Sequence, residues 1–256
     1  MKLPVLFAFT RQDFIDRYSG SVFGALWSFI HPLVMIFIFT VVFAKIMGAR
    51  LPGSVGEYNY PVYLVSGLLP WIAFSTTITR CATVFIDKRH IIGKIYLNLG
   101  YLPLYIVFSE TITFTIALAL FLGFLVFVGQ WPGQLLLLVG LIYLLQQIFA
   151  FGLGLLFAIL NVFLRDIREL VGIGLTFWFW LTPIVWVPDI APRLVQDLQH
   201  WLNPAYLFIG SYRSIFVDQQ LPASSSLAWL AGIGFAVVVL AWRLLRWLEK
   251  DIRDFL

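Results

Sequence analysis

Residues 101–160 read YLPLYIVFSETITFTIALALFLGFLVFVGQWPGQLLLLVGLIYLLQQIFAFGLGLLFAIL. Two apolar runs, 101–128 and 134–160, are separated by a short Gly/Pro segment at 129–133. A membrane-spanning helix needs about 20 mostly apolar residues. Both runs meet that length, and Glu110 is the one carboxylate well inside a span. Working outward, four further stretches qualify: 24–46, 61–85, 170–187 and 224–247. The fifth in chain order, 170–187, is short and is expected to lean on its neighbours or on a thinned boundary.

The composition agrees. Of the 256 residues, 61% are hydrophobic and only 12% charged. A soluble domain has about 45–50% apolar and about 25% charged residues. Such a chain cannot cover an apolar core with polar groups, so lipid must be its solvent over much of its surface. A net charge of +4, with Lys and Arg scattered, excludes nucleic acid as an expected partner. The single Cys81 precludes an internal disulfide. Arg11, Asp13, Asp16 and Arg17 interrupt the first apolar run, so no cleavable leader is expected.

The fold class is an all-α membrane protein with about six transmembrane helices. One membrane domain is expected over 1–256. A cytoplasmic interface helix occupies 1–23, spans one to five 24–187, an outer segment 188–223, and span six with its cytoplasmic tail 224–256. A cytoplasmic N-terminus leaves only Lys45, Arg50, Arg193 and Arg213 outside, of 17 basic residues. That bias places both termini inside, by the excess of cytoplasmic Lys and Arg. In the N-terminal segment, Phe7, Phe14, Ile15 and Tyr18 share one helical side. Gln12, Asp13, Asp16 and Arg17 take the other, with Arg11 able to snorkel. This predicts a helix lying along the inner interface. Residues 47–60 form a short outer loop. Ala205–Val217 is apolar but too short to span, and is expected as a re-entrant or interfacial element.

The chain lacks a phosphate loop: Gly93-Lys94 has neither the upstream glycine nor the following hydroxyl residue. Any ATP is therefore hydrolysed by another chain. His31, His90 and His200 lack metal-ligand spacing, so no metal and no catalytic residue is expected.

Several motifs occur in order along the chain. They are Arg17-Tyr18-Ser19-Gly20-Ser21-Val22-Phe23-Gly24-Ala25-Leu26-Trp27 with Pro32, Ser66-Gly67-Leu68-Leu69-Pro70-Trp71, and Asn161-Val162-Phe163-Leu164-Arg165-Asp166-Ile167. Trp180-Leu181-Thr182-Pro183-Ile184-Val185, Leu202-Asn203-Pro204 and Glu249-Lys250-Asp251-Ile252-Arg253-Asp254 follow. In this order and spacing the set resembles the permease subunit of ABC-2-type polysaccharide exporters, the O-antigen and teichoic-acid transport family, over essentially the full length.

The resemblance implies a homodimeric permease with two copies of a separate ATPase subunit, which carries the ATP and Mg. It implies outward movement of a lipid-linked glycan across the bacterial inner membrane. It also implies a channel lined by the first and fifth spans, cytoplasmic helices docking into the ATPases, and short outer helices between spans five and six. Trp27, Phe177 and Trp180 sit on the channel spans, and aromatic rings can pack on sugar C–H faces; ordinary lipid or packing contact is the competing role of such rings.

Two inner segments are candidates for ATPase coupling. Loop 86–96 interleaves Lys88 and Arg89 with Ile91 and Ile92, which suits docking into a protein groove. Arg165 and Asp166 open a second charged turn. Inside the bilayer, Arg80 and Glu110 fall at similar depth, counting about 1.5 Å per residue, and a buried charge there needs a partner. Gln146 and Gln147 are expected to hydrogen-bond between helices. The alternatives are an ABC-2 permease for a small lipid or drug, an integral membrane glycan-modifying enzyme, and a proton-coupled secondary transporter using Glu110.

Overall fold

The computed structural model describes residues 3–46, 58–94 and 98–256. The outer loop expected at 47–60 lies almost wholly outside the described residues, as do Ile95 and Tyr96 of the inner loop. The described residues are helical, with no strand among them. The elements are α1 Leu3–Tyr18, α2 Trp27–Ile38, α3 Asn59–Asp87, α4 Arg89–Ile92 and α5 Leu104–Val128. They continue with α6 Leu136–Phe163, α7 Ile167–Leu181, α8 Arg193–Leu202, α9 Pro204–Phe216 and α10 Ser224–Phe255.

Four helices are long and apolar enough to cross a membrane: α3, α5, α6 and α10, the second and third with short 3₁₀ turns at their starts. The other two expected spans are shorter. The first comprises α2 continued by a π-helical stretch, Phe39–Ile46. The fifth is α7, with 15 residues, which reach about 22 Å at 1.5 Å per residue against a hydrocarbon core of about 30 Å. It stops at Leu181 and not at 187 because Thr182 precedes Pro183 and is extended, with ψ 134°.

The centre of the bundle is α3, buried along most of its length. Around it pack α5, α6, α7 and α9. Glycines set the two closest approaches. A Cβ on Gly154 would lie 2.5 Å from Cys81 Cβ, so α6 meets α3 at near backbone contact. A Cβ on Gly152 would lie 2.9 Å from Val238 N, which brings α10 equally near to α6. Small residues at helix contacts are how apolar helices gain dispersion contact where lipid offers no hydrophobic contrast. Helix α10 buries only Leu230, Gly234, Ala241, Leu245 and Ile252, one narrow strip along its length.

The α5–α6 turn is closed by Gly129 in the left-handed region, φ 79°. Gln130 N donates to Leu125 O at 2.9 Å, pairing an orphan carbonyl at the helix end. On the outer side, α9 is inserted between α3, α6 and α10, with Leu207, Phe208, Ile209, Tyr212, Ile215 and Phe216 all buried. The short apolar segment expected at 205–217 is therefore a core element.

The N-terminal helix α1 packs on α5. It turns polar groups inward: Thr10 is 7% exposed and the Asp13 side chain 12%. Phe7 and Ile15 are on its outer side, at 71% and 45%. The amphipathic pattern expected from sequence is thus present with its polar side against the bundle and its apolar side outward.

Candidate functional site

Three regions carry polar or unpartnered groups. The first joins α1, α3 and α5. Arg80 Nη1 and Arg17 Nη2 both donate to Glu110 Oε1, each at 2.6 Å. Arg80 Nη2 also donates to Asp13 Oδ1. Arg17 reaches Ser109 Oγ and Thr113 Oγ1, both at 3.2 Å. Two acids face two bases, so the group is formally neutral, which is what makes it tolerable at membrane depth. A cavity of about 630 Å³ opens beside it. Arg17 and Glu110 form its charged end, and Trp27, His31, Met35, Leu69, Ile72 and Phe114 its walls. Trp27 Nε1 donates to Ser21 Oγ at 3.0 Å, and its ring stands between Phe23 and His31.

The second region is the outward face of α7. Leu170, Ile173, Phe177 and Trp180 recur at three- and four-residue steps and are 60–69% exposed. Phe177 and Trp180 thus share a face, as their spacing requires. They make no ring contact with Trp27. Next to this face, α3 turns Ser75 and Thr79 into a hollow of about 300 Å³ shared with Gly172, Leu175, Thr176 and Phe179 of α7. Thr76, on the same side of α3, lines the larger cavity. Sequence reading passed over this hydroxyl-bearing strip, though Ser75, Thr76, Thr79 and Thr83 have one-face helical spacing.

The third region is at the cytoplasmic end. Arg89 from α4, Arg165 and Arg168 from the α6–α7 turn, Asp87, Asn161 and Phe255 surround a cleft of about 330 Å³. Two segments singled out separately in the sequence therefore meet. Ile92 departs from expectation. It is 5% exposed and sits in the core with Val84, Phe85 and Leu99, so its apolar side chain serves the fold and is not available to dock a partner. Ile91 is half-buried and Arg89 exposed. Lys88 lies over the Tyr105 ring at 5.6 Å.

The quoted motifs converge in space. Asn203 Oδ1 caps α9 by accepting from Ala205 N at 3.0 Å and Tyr206 N at 3.3 Å. It also accepts from Trp178 Nε1 at 2.7 Å, and Asn203 Nδ2 donates to Thr182 Oγ1 at 2.9 Å. Arg213 donates to Pro183 O at 2.5 Å and Ile184 O at 2.7 Å. A Cβ on Gly67 would lie 2.9 Å from Arg213 Nη2. Gln146 Nε2 donates to Pro70 O at 2.9 Å and Gln146 Oε1 accepts from Tyr212 Oη at 3.1 Å, tying α3, α6 and α9.

A family model described as ABC-2 type transporter matches residues 4–217. The chain belongs to the ABC-2 type transporter family. The chain is 31% identical over 239 residues to the O-antigen export system permease protein RfbA of Myxococcus xanthus, which covers 93% of this chain and 88% of the relative. It is equally 31% identical over 239 residues to a Klebsiella pneumoniae protein of the same name, covering 93% and 90%. As an ABC-2 type transporter chain it is a multi-pass membrane transport subunit, and membership implies association with an ATPase partner. Within this family frame, the charge network, the α7 face and the cytoplasmic cleft are the candidates for support, conduction and coupling.

Proposed function

We propose that this chain is the membrane subunit of an ATP-driven exporter that moves a lipid-linked polysaccharide across the bacterial inner membrane. It forms one membrane domain with six spans and both termini cytoplasmic. Two copies pair with two ATPase chains, which hold the ATP and Mg. The observation that carries the reading is the exposed aromatic face of α7 beside the hydroxyl-bearing strip of α3. Rings can meet sugar C–H faces and hydroxyls can meet sugar hydroxyls. A second copy would enclose both, because α2 also leaves Phe29, Leu33 and Phe37 exposed at helical steps. The full-length similarity to proteins named O-antigen export permeases supports the substrate class.

Force enters at the cytoplasmic cleft, where basic side chains of α4 and the α6–α7 turn face one another. Movement there reaches α7 directly, since α7 begins at Ile167 beside Arg165 and Arg168. The test is reconstitution of the chain with its cognate ATPase in liposomes. Lipid-linked glycan is expected to stimulate ATP hydrolysis and to appear in the lumen. The mostly apolar 630 Å³ cavity favours a second reading, a permease for a small lipid or drug. That reading gains the case when such a compound stimulates hydrolysis and the lipid-linked glycan does not.

A further inference from the structure

A separate cavity of about 310 Å³ lies on the outer side, away from the α7 face. It is bounded by the start of α3, the end of α8, α9, and the start of α10. Its polar groups are His200, Tyr206, Arg213, Ser214, Asp218 and Ser226.

Three observations set it apart from a packing defect. First, Arg213 is 8% exposed and its Nε has no hydrogen-bond partner. Buried polar groups are ordinarily paired, so an open donor on a buried guanidinium calls for an acceptor. Its two Nη atoms are already held by Pro183 O and Ile184 O, and its plane lies 3.5 Å from the Tyr63 ring centroid. The group is fixed in place with one donor unspent. Second, Gly210 lines the cavity in the middle of α9, and no atom lies within 4 Å of where its Cβ would be. Mid-helix glycine is unfavourable, and here no neighbour requires it. Its effect is to keep the space empty. Third, His200, Tyr206, Asp218 and Ser226 form no side-chain hydrogen bond to another described residue.

We propose that this cavity is a binding subsite for a single neutral pyranose of the exported glycan, on the outer face of the permease. The ligand class rests on the polysaccharide reading above. The charges argue for a neutral ligand: Arg213 is balanced by Asp218, and an anion would gain one donor while facing the carboxylate. A sugar ring meets the donors and acceptors in turn. One of its oxygens accepts from Arg213 Nε, and one of its hydroxyls donates to Asp218. Its C–H face rests on the half-buried ring of Tyr206. Desolvation raises the Asp218 carboxyl above its ordinary value, with Arg213 opposing. The carboxyl is thereby a strong acceptor for a sugar hydroxyl.

The test uses the full chain in lipid nanodiscs, with Cys81→Ser removing the native thiol and Ala223→Cys placing a reporter at the exposed rim. A membrane-impermeant maleimide labels it in the presence of glucose, galactose, mannose or N-acetylglucosamine. At least one pyranose is expected to slow labelling fivefold or more, while sorbitol and inorganic phosphate leave it unchanged. Gly210→Leu fills the cavity without a clash at its Cβ, and is expected to abolish protection with no loss of thermal stability. Tyr206→Leu is expected to weaken it. Protection by phosphate, protection by no pyranose, or protection that survives Gly210→Leu overturns the subsite. The assay needs neither ATPase nor export, so glycan-stimulated hydrolysis without sugar protection removes the subsite and leaves the transport reading standing.

Discussion

Glu110 Oε1 receives Arg80 Nη1 at 2.6 Å, and the same oxygen receives Arg17 Nη2 at the same distance. One carboxylate oxygen thus joins the N-terminal helix to two core helices. The arrangement is a structural clamp. A proton carrier needs a neutral state, and protonating Glu110 would leave two guanidinium groups facing a single acid, Asp13.

Glu110→Gln is therefore expected to destabilise the protein by about 3–5 kcal/mol, the cost of breaking a buried charge group from one side. Thermal unfolding in nanodiscs checks the size. Limited proteolysis checks the place, since α1 should become cleavable after Arg11 and Arg17 before the rest of the chain. A variant with wild-type stability and abolished transport would instead identify Glu110 as a functional proton or substrate contact.

Gly67 and Arg213 supply the second prediction. Gly67→Ala sets a methyl 2.9 Å from Arg213 Nη2 and forces the guanidinium off the carbonyls of Pro183 and Ile184. The expected loss is about 1–3 kcal/mol, as for other overpacked sites. Gly210→Ala, on the same helix as Arg213 but facing open space, is the control and is expected to be neutral or stabilising. Parallel melting curves of the two variants decide the matter.

The same residues show what the sequence made legible. Helices α3, α5, α6 and α10 followed from apolar length alone, and the end of α7 is written locally in Thr182-Pro183. Asp13 and Arg17 were legible only as the polar side of a helix. Their partners Arg80 and Glu110 lie 67 and 93 residues away, and no local pattern encodes which way that side faces. Arg213 was counted as an outside charge because hydropathy treats every arginine alike. Its burial depends on Tyr63 and on two distant carbonyls. Ile92 failed for the converse reason, since an apolar residue in a charged loop can anchor either to a partner or to its own core.

The cytoplasmic cleft yields the third prediction. Arg89→Glu, Arg165→Glu and Arg168→Glu together are expected to lower recovery of the ATPase on co-purification at least tenfold. Detergent-stable amounts of the chain should be unchanged, because Arg89 and Arg168 are exposed. Ile92→Asp is expected to fail differently, by lowering the amount of folded chain, since it places a carboxylate in the core beside Val84 and Phe85. Equal ATPase recovery by the triple variant would move the coupling surface elsewhere on the inner face.

The last prediction concerns Phe177 and Trp180. A polymer path must offer contact at every sugar without holding any one of them. Rings do this because stacking carries little sequence preference and is modest per contact, about 0.5–1.5 kcal/mol for aromatic pairs beyond their buried area. Both side chains are more than 60% exposed in one copy of the chain. They can therefore be changed without opening a core cavity. Phe177→Ala with Trp180→Ala is expected to reduce export at least tenfold while insertion, stability and ATPase recovery stay near wild type. Trp247→Ala, an equally exposed ring toward the cytoplasmic end of α10, is expected to change export little. Single cysteines at 27, 177 and 180 in the Cys81→Ser background then report access. Lipid-linked glycan is expected to slow their reaction with an impermeant thiol reagent during ATP turnover. Position 27 tests whether the Trp27 cavity communicates with that path or remains a separate chamber, because the structure holds its ring apart from the α7 pair. Labelling indifferent to glycan at 177 and 180, with normal export by the double Ala variant, would assign the α7 face to lipid or to subunit packing, and the hydroxyl-bearing strip of α3 would become the next surface to probe.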